Sequence, residues 1–306
     1  MLNFNSPLIA LAPLAGYTDL PFRKVVKKYD ADWTISEMIN ANALKYRNEK
    51  TLKMTQKNDN ETPYSVQIAA NNAEVAKIAV EVLNELDFID GIDLNVGCPV
   101  KKAIKSGYGG NLLNEPDNLS EIISTIAKTH KKKFFSVKMR IGFEEINGVE
   151  RAKLIEGSGA EILTVHGRTV KQMYSGDTNY EEIKNIKSAL KIPVLANGNI
   201  DSYQKAKEVL EYTNCDGVMI GRGAVGSPWI FKEIKLQRSV SKEEKKEVIL
   251  EHFNAMVEWY GEFGVVLFRK HLHTYSKGYD GASEFRTKVN SIDSSKVMLE
   301  LLKEFF

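Results

Sequence analysis

The sequence predicts an α/β fold, a (β/α)8 TIM barrel followed by a small C-terminal helical domain, and three observations carry the prediction. Eight short apolar runs recur through residue 221, with helical stretches between them. Their starts fall 24, 31, 28, 43, 27, 31 and 24 residues apart, each gap long enough for a crossover helix and the return to a parallel neighbour. After about Trp229 the short runs stop and only helical periodicity remains. Eight such units close naturally into a barrel, so a barrel domain over 1–230 and a helical domain over 231–306 are expected.

The runs are Ile9 to Leu14, Trp33 to Met38, Tyr64 to Ile68, Ile92 to Asn95, Phe135 to Arg140, Ile162 to His166, Pro193 to Asn197 and Gly217 to Gly221. The first lies in an uncharged stretch reaching Thr18. No Lys or Arg precedes it and Pro7 and Pro13 bracket it, so a buried strand fits better than a signal-peptide core. Between runs, Asn71 to Leu86 carries Val75, Ile78, Ala79, Val82 and Leu86 at helical spacing behind an Asn-Asn start. Leu119 to Ala127 and Tyr203 to Leu210 repeat the pattern. The longest gap holds Gly97-Cys98-Pro99 and Gly107-Tyr108-Gly109-Gly110; one oversized loop on a barrel is where function is expected.

The tail opens with a capping box, Ser241 to Glu244, ahead of a stripe at Ile249, Phe253, Met256, Val257 and Tyr260. Further helices are expected over Val265 to Lys277, Gly281 to Ser291 and Ser294 to Phe305.

Composition narrows the function. With 43% hydrophobic and 27% charged residues, disordered and fibrous classes are excluded. Lys and Arg total 42 against 40 Asp and Glu, a net of +2, so any site for a polyanion must be local. Two cysteines, Cys98 and Cys215, with no C-x-x-C spacing argue against disulfides or zinc and for a reducing, cytoplasmic setting. No run approaches 18 apolar residues, so no membrane helix is expected, and neither a metal nor an obligate protein partner is called for.

In such a barrel the C-terminal strand ends form the active face. Here they read Pro13-Leu14-Ala15-Gly16, Glu37, Gln67, Asn95, Lys138 with Arg140, His166 with Arg168, Asn197-Gly198-Asn199 and Gly221-Arg222. Buried Lys, Arg and Gln are costly unless partnered, so this convergence points to function, although a lone His at a strand end is more often a satisfied core imidazole. Lys138 and Arg140, two apart on one strand, face the same side. The segments after the last two runs sit where barrels commonly hold phosphate. Gly221 to Gly226 also fits G-x-G-x-x-G, but that motif belongs in an opening βαβ unit, whereas only a helical tail follows.

Cys98, in the oversized loop, is followed by Lys101, Lys102 and Lys105 without an acidic residue, either an ordinary solvated face or a basic rim. Cys215 reads as a buried small hydrophobe. In the tail, Arg269, Lys270, Lys277, Arg286 and Lys288 stand against Asp280 and Glu284 and interleave with His271, His273, Tyr275 and Tyr279, a mixture suited to RNA backbone and stacked bases.

Together Ala12-Pro-Leu-Ala-Gly-Tyr-Thr-Asp19, Leu94-Asn-Val-Gly-Cys-Pro99, Ser136-Val-Lys-Met-Arg140, Val165-His-Gly-Arg-Thr169, Asn197-Gly-Asn199 and Gly221-Arg-Gly-Ala-Val-Gly-Ser-Pro-Trp-Ile-Phe231 resemble, in order, the signatures of the tRNA-dihydrouridine synthases. Phe268-Arg-Lys-His-Leu with Lys277-Gly-Tyr-Asp-Gly-Ala-Ser-Glu-Phe-Arg286 is similar to the helical RNA-binding domain of the bacterial B-type members. The resemblance implies an FMN enzyme that reduces the C5–C6 double bond of a uridine in tRNA, with NADPH refilling the flavin. Cys98 would give the proton to C5, and Lys138 would face the flavin N1 and O2 edge. Gln67 would bond the ring's polar edge, Pro13, Leu14 and Ala15 would line it, and His166 would contact flavin or uracil. Asn197, Gly198, Asn199, Gly221 and Arg222 would hold the phosphate. Asn95, Arg140 and Arg168 remain for the flipped base, with Lys101, Arg269, Lys270 and Arg286 for the tRNA.

Two rivals share parts of this pattern. An FMN-dependent oxidoreductase of small pyrimidines or orotate shares the barrel, the flavin and the cysteine, but has no use for the basic helical tail. A non-catalytic tRNA-binding protein would need the tail but neither Cys98 nor Lys138.

Overall fold

A computed structural model, describing residues 2–306, contains nine parallel strands. These are β1 (Leu8–Leu11), β2 (Thr34–Ile35), β3 (Ile39–Asn40), β4 (Tyr64–Ala69), β5 (Gly91–Val96), β6 (Phe134–Arg140), β7 (Ile162–His166), β8 (Val194–Asn197) and β9 (Gly217–Ile220). They run in the order β1-β9-β8-β7-β6-β5-β4-β2, with β3 also on β4. A bridge between Ala10 and Trp33 brings the ends together, with Leu11 N donating to Trp33 O and Asp32 N to Ile9 O, both at 2.9 Å. The expected barrel is therefore present.

One expected strand is split. Ser36 N still donates to Ser65 O, but Gln67 N then bonds the Ser36 hydroxyl at 3.0 Å instead of a strand carbonyl. The ladder resumes only at Ile39, opposite Ile68, so within the run Trp33 to Met38 only β2 is laddered on β4, residues 36–38 interrupt it, and β3 follows just beyond the expected end.

Side chains that alternate along the strands divide the apolar residues into two sets. Outward ones such as Ile9, Leu11, Val66, Ile92, Val137 and Val165 pack on the surrounding helices. Inward ones, Leu8, Ala10, Trp33, Phe134, Ile162, Leu195 and Met219, fill the lower barrel. The helices begin where short polar side chains cap them: Asn72 accepts from Val75 N at 2.9 Å to open Ala73–Asn84, and Ser202 opens Tyr203–Thr213. The oversized loop is folded, with helix Lys101–Lys105 and a 3-10 turn over Gly109–Asn114.

The tail has helices Lys242–Tyr260, Phe263–Tyr275, Ala282–Val289 and Ser295–Phe305. Both bonds of the Ser241–Glu244 capping box form, at 3.2 and 2.9 Å. The tail's core is shared with the barrel: Val25 of helix Leu20–Lys28 and Tyr29, its C-cap, together with Trp229, pack with Phe253, Met256, Phe268, Leu272 and Tyr275. Phe22 stacks on His271 with centroids 5.6 Å apart, and His252 Nδ1 pairs with the Tyr275 hydroxyl at 2.8 Å. Asp19, the cap of helix Leu20–Lys28, also accepts from the Tyr260 hydroxyl at 3.1 Å. Helix Ile230–Leu236, at whose start the expected boundary falls, buries Ile230 and Phe231 in the barrel's outer core. Among the described residues no helix is long and apolar enough to cross a membrane.

Candidate active site

Strand register orders the inward polar residues into levels above the apolar floor. Gln67, Asp93 and Ser136 lie side by side, Asn95, Lys138 and Thr164 stand one level higher, and Arg140, His166 and Asn197 form the rim. Polarity therefore rises toward the C-terminal strand ends, where an active face is expected.

Burial on this scale requires partners, and most are found. Gln67 Nε2 donates to Asp93 Oδ2 at 2.6 Å, and Ser136 Oγ to Asp93 Oδ1 at 2.6 Å. Asn95 Nδ2 donates to Gln67 Oε1 at 2.8 Å. Lys138 Nζ donates to Asn197 Oδ1 at 3.0 Å, and Asn197 Nδ2 to Met219 O at 2.7 Å. The Thr164 hydroxyl, buried beside Lys138, has no partner among the described residues.

Cys98 is half-buried, three residues beyond Asn95. Asn95 Oδ1 accepts from the amides of Gly97 and Cys98 at 3.1 and 2.9 Å, which turns the chain sharply off β5. Gly110 N donates to Cys98 O at 3.0 Å. Gly109 has φ +67°, and a Cβ there would lie 2.8 Å from Cys98 Cβ, so only glycine lets the 3-10 turn close against the cysteine.

Arg140 and Arg168 are buried pins. Arg140 donates to the carbonyls of Gly97, Thr169 and Met173 at 2.9, 2.9 and 2.8 Å, tying the Cys98 loop to the loop after β7. Arg168 donates to Ser175 O at 3.2 Å and, through Nη2, to Gly176 O at 2.7 Å. Tyr174 stands 47% exposed between Arg222 and Arg140, whose guanidinium groups lie 4.5 and 5.7 Å from its ring centre. Arg222 also approaches Asn199 Oδ1 at 3.4 Å, and the Tyr180 hydroxyl donates to Gly198 O at 2.6 Å. Gly198 adopts φ +126°, and a Cβ would lie 2.9 Å from both His166 and Thr178.

The mouth is cationic. Burial, and then neighbouring Arg140, pushes Lys138 down to about 8. Burial, followed by Lys138, Arg140, Arg168 and Arg222, holds His166 far below its ordinary value and therefore neutral. Asp93 is the carboxylate beneath; burial pushes it up to about 6, opposed by Ser136, Gln67 and Lys138. Four cations around one carboxylate and a neutral imidazole favour an anionic ligand.

The structure thus brings Gln67, Asn95, Cys98, Lys138, Arg140, His166, Arg168, Asn197, Gly198, Asn199 and Arg222 to one mouth. Pro13, Leu14 and Ala15 follow β1, and a Cβ on Gly221 would lie 3.7 Å from Leu14 Cδ1, so these two strand ends adjoin. Lys101 is exposed on its short helix. Farther off, Arg269 pairs with Asp293 at 2.5 Å and Arg286 is half-buried in helix Ala282–Val289. Lys270 donates to Gly16 O and lies 5.2 Å from the Tyr17 ring centre, so it reaches the barrel's first loop.

One expectation is corrected. His271 and Tyr275, read as faces for stacked bases, are 0% and 2% exposed. With Phe268 and Leu272 they make the helix's inward stripe, at i, i+3, i+4 and i+7, and so serve the core. Two contributors were not anticipated. Asp93 could have been found, since it stands two residues before Asn95 on the same face of a strand. Tyr174 lies in an irregular loop and carries no periodic signal.

The Dihydrouridine synthase (Dus) family matches residues 10–306. A probable tRNA-dihydrouridine synthase of Helicobacter pylori (strain ATCC 700392 / 26695) is 45% identical over 304 residues, 99% of this chain and 93% of that protein. The tRNA-dihydrouridine synthase B of Vibrio parahaemolyticus serotype O3:K6 is 39% identical over 312 residues, 97% of this chain and 95% of its own. Among solved structures, 2-naphthoyl-CoA reductase aligns with TM-score 0.60 at 12% identity, covering 75% of this chain and 50% of its own. An old yellow enzyme homologue from Zymomonas mobilis aligns with TM-score 0.56 at 14% identity, covering 76% and 90%. These two likenesses concern the fold.

Proposed function

The chain belongs to the dihydrouridine synthase family of oxidoreductases, and from that premise we propose that it reduces a tRNA uridine to 5,6-dihydrouridine with FMN in the barrel mouth, NADPH as reductant and Cys98 as the acid. The observation that carries this reading is the placement of Cys98 on a rigid turn at the edge of a cationic, anion-seeking mouth.

The residues fit the cofactor. Lys138 and the unpartnered Thr164 hydroxyl offer a charge and a polar contact at one level, while Leu14 and its neighbours offer an apolar wall. The Asn197–Asn199 turn, kept open by Gly198, and Gly221 with Arg222 suit its phosphate. FMN held there would, once reduced, supply the hydride that uracil takes at C6. Cys98 then delivers its proton to C5, because reduction across a conjugated double bond leaves a basic carbon that must be protonated. Gln67 keeps one further donor and acceptor position for the ring's edge. His166, held neutral, contacts the base or the ring without adding charge. Arg140 and Arg168 act on the flipped base through the loops they pin and through their field.

The protein purified without added flavin should be yellow and should form dihydrouridine in unmodified tRNA when given NADPH; colourless protein that binds no FMN would remove the mechanism. The tail, with Arg286 and the exposed Lys277 and Lys288, is the proposed tRNA surface together with Lys101, Arg269 and Lys270. Affinity for tRNA should fall steeply with salt, and Arg286→Ala should lower the slope of log affinity against log salt by about one. A variant with unchanged affinity and slope would place the RNA elsewhere. A small-pyrimidine reductase is the lesser reading, because a barrel acting on a free base has no need of a helical tail that shares its core and carries a local cluster of Arg and Lys.

A further inference from the structure

We propose that Asp93 is a positioning residue that sets the polarity of the Gln67 and Asn95 amides and thereby holds the Cys98 turn in place. The inference extends the reading of Cys98 as the acid, but it rests on hydrogen-bond polarity alone.

An ionised carboxylate accepts and cannot donate. Asp93, fully buried on β5, therefore compels Gln67 to turn its NH2 group toward it, at 2.6 Å. The Gln67 oxygen is then presented to Asn95, which must answer with its own NH2 group, at 2.8 Å. That leaves the Asn95 oxygen facing the amides of Gly97 and Cys98, both of which need an acceptor. The chain runs in one direction from carboxylate to cysteine backbone. Ser136 donates to the other carboxylate oxygen at 2.6 Å, and although burial pushes Asp93 up to about 6, against Ser136, Gln67 and Lys138, the origin of the chain is ionised at pH 7.5.

Reversal has a definite consequence. A group at position 93 that can donate lets Gln67 turn over, presenting NH2 to Asn95. Asn95 then offers its oxygen inward and its NH2 group to two amides that are themselves donors, so the turn loses both bonds. No atom has to be lost for this to happen.

The test compares full-length proteins at pH 7.5 by hydrogen exchange of the Gly97 and Cys98 amides, a measurement independent of what Cys98 does chemically. Asp93→Asn, nearly identical in shape, should raise exchange at both amides by about tenfold, the scale of one lost hydrogen bond. Adding Gln67→Glu should restore protection to within about threefold. The carboxylate, moved one position along the chain, again accepts from Asn95 Nδ2, while the side-chain amide introduced at position 93 donates to it. Gln67 also faces the proposed cofactor, so the rescue is read on exchange and not on turnover. Unchanged exchange in Asp93→Asn, or a double variant as unprotected as the single one, would overturn the proposal. If Asp93→Asn does not fold, the double variant decides: folded and protected supports the relay, unfolded or unprotected sinks it. A wild-type rate in Cys98→Ala would remove the acid and leave this result standing.

Discussion

Cys98→Ala should lower dihydrouridine formation about a hundredfold or more, the usual scale for loss of a general acid, with FMN content, flavin reduction by NADPH and tRNA affinity retained. The separation follows from the architecture. The sulfur sits on a turn held by backbone contacts to Asn95, Gly110 and Arg140, none of which involves the thiol. Removing it therefore leaves the cationic mouth and the tail as they were. Serine should rescue poorly, because an aliphatic hydroxyl is a far weaker acid than a thiol. The measurement is a single turnover: reduced enzyme is mixed with unmodified tRNA, flavin reoxidation is followed by absorbance, and dihydrouridine is counted. Product at the wild-type rate would assign protonation to another group, with Lys138 and His166 the next to examine.

Lys138→Met should weaken FMN binding by about thirty- to a hundredfold at pH 7, as expected when a partly buried charge partner is lost. The same residue should make binding pH-dependent. Lys138 is pushed down to about 8, chiefly by burial and then by Arg140. The flavin N1 and O2 edge proposed beside it is a hydrogen-bond acceptor that the charged ammonium serves best, so its pKa rises on binding. Affinity is then complete below about pH 8 and falls as pH rises from there toward the bound-state value, by at most one decade per pH unit. Titration of apo-protein with FMN from pH 7 to 9.5 reads both effects, and in Lys138→Met the profile should be flat. A wild-type profile without the decline would mean that Lys138 serves Asn197 and the barrel interior rather than the cofactor.

Much of the barrel was legible because its strands announce themselves by length and hydrophobicity. Ile162 to His166 is a strand to the residue, since four apolar or β-branched positions closed by His166 lie between a glycine-marked turn and the functional loop. The run from Trp33 was not, because the hydroxyl of Ser36 takes over a ladder bond, and a side-chain substitution of that kind leaves no trace in a period-two pattern. At the site, the strand-end rule picked out Lys138, Arg140, His166 and Asn197 by their places at the ends of the apolar runs. It could not say that Arg140 and Arg168 spend their donors on loop carbonyls, because those partners belong to a segment without periodicity. The buried faces of His271 and Tyr275 were readable from their spacing with Phe268, but residue type, basic beside aromatic, pointed the other way.

The core shared by helix Leu20–Lys28 and the tail limits how this protein can be taken apart or recombined. A cut after the barrel would strip the cover from Phe22, Val25 and Tyr29 and leave Asp19 without its Tyr260 partner, so a truncated barrel would tend to aggregate before its chemistry could be assayed. A chimera that exchanges tails would have to carry one face of the barrel's first helix with it. On the proposed role of the tail, selection on where it steers RNA is also selection on a helix that begins a few residues from Leu14, and changes in tRNA preference should be accompanied by compensating substitutions at positions 22, 25 and 29.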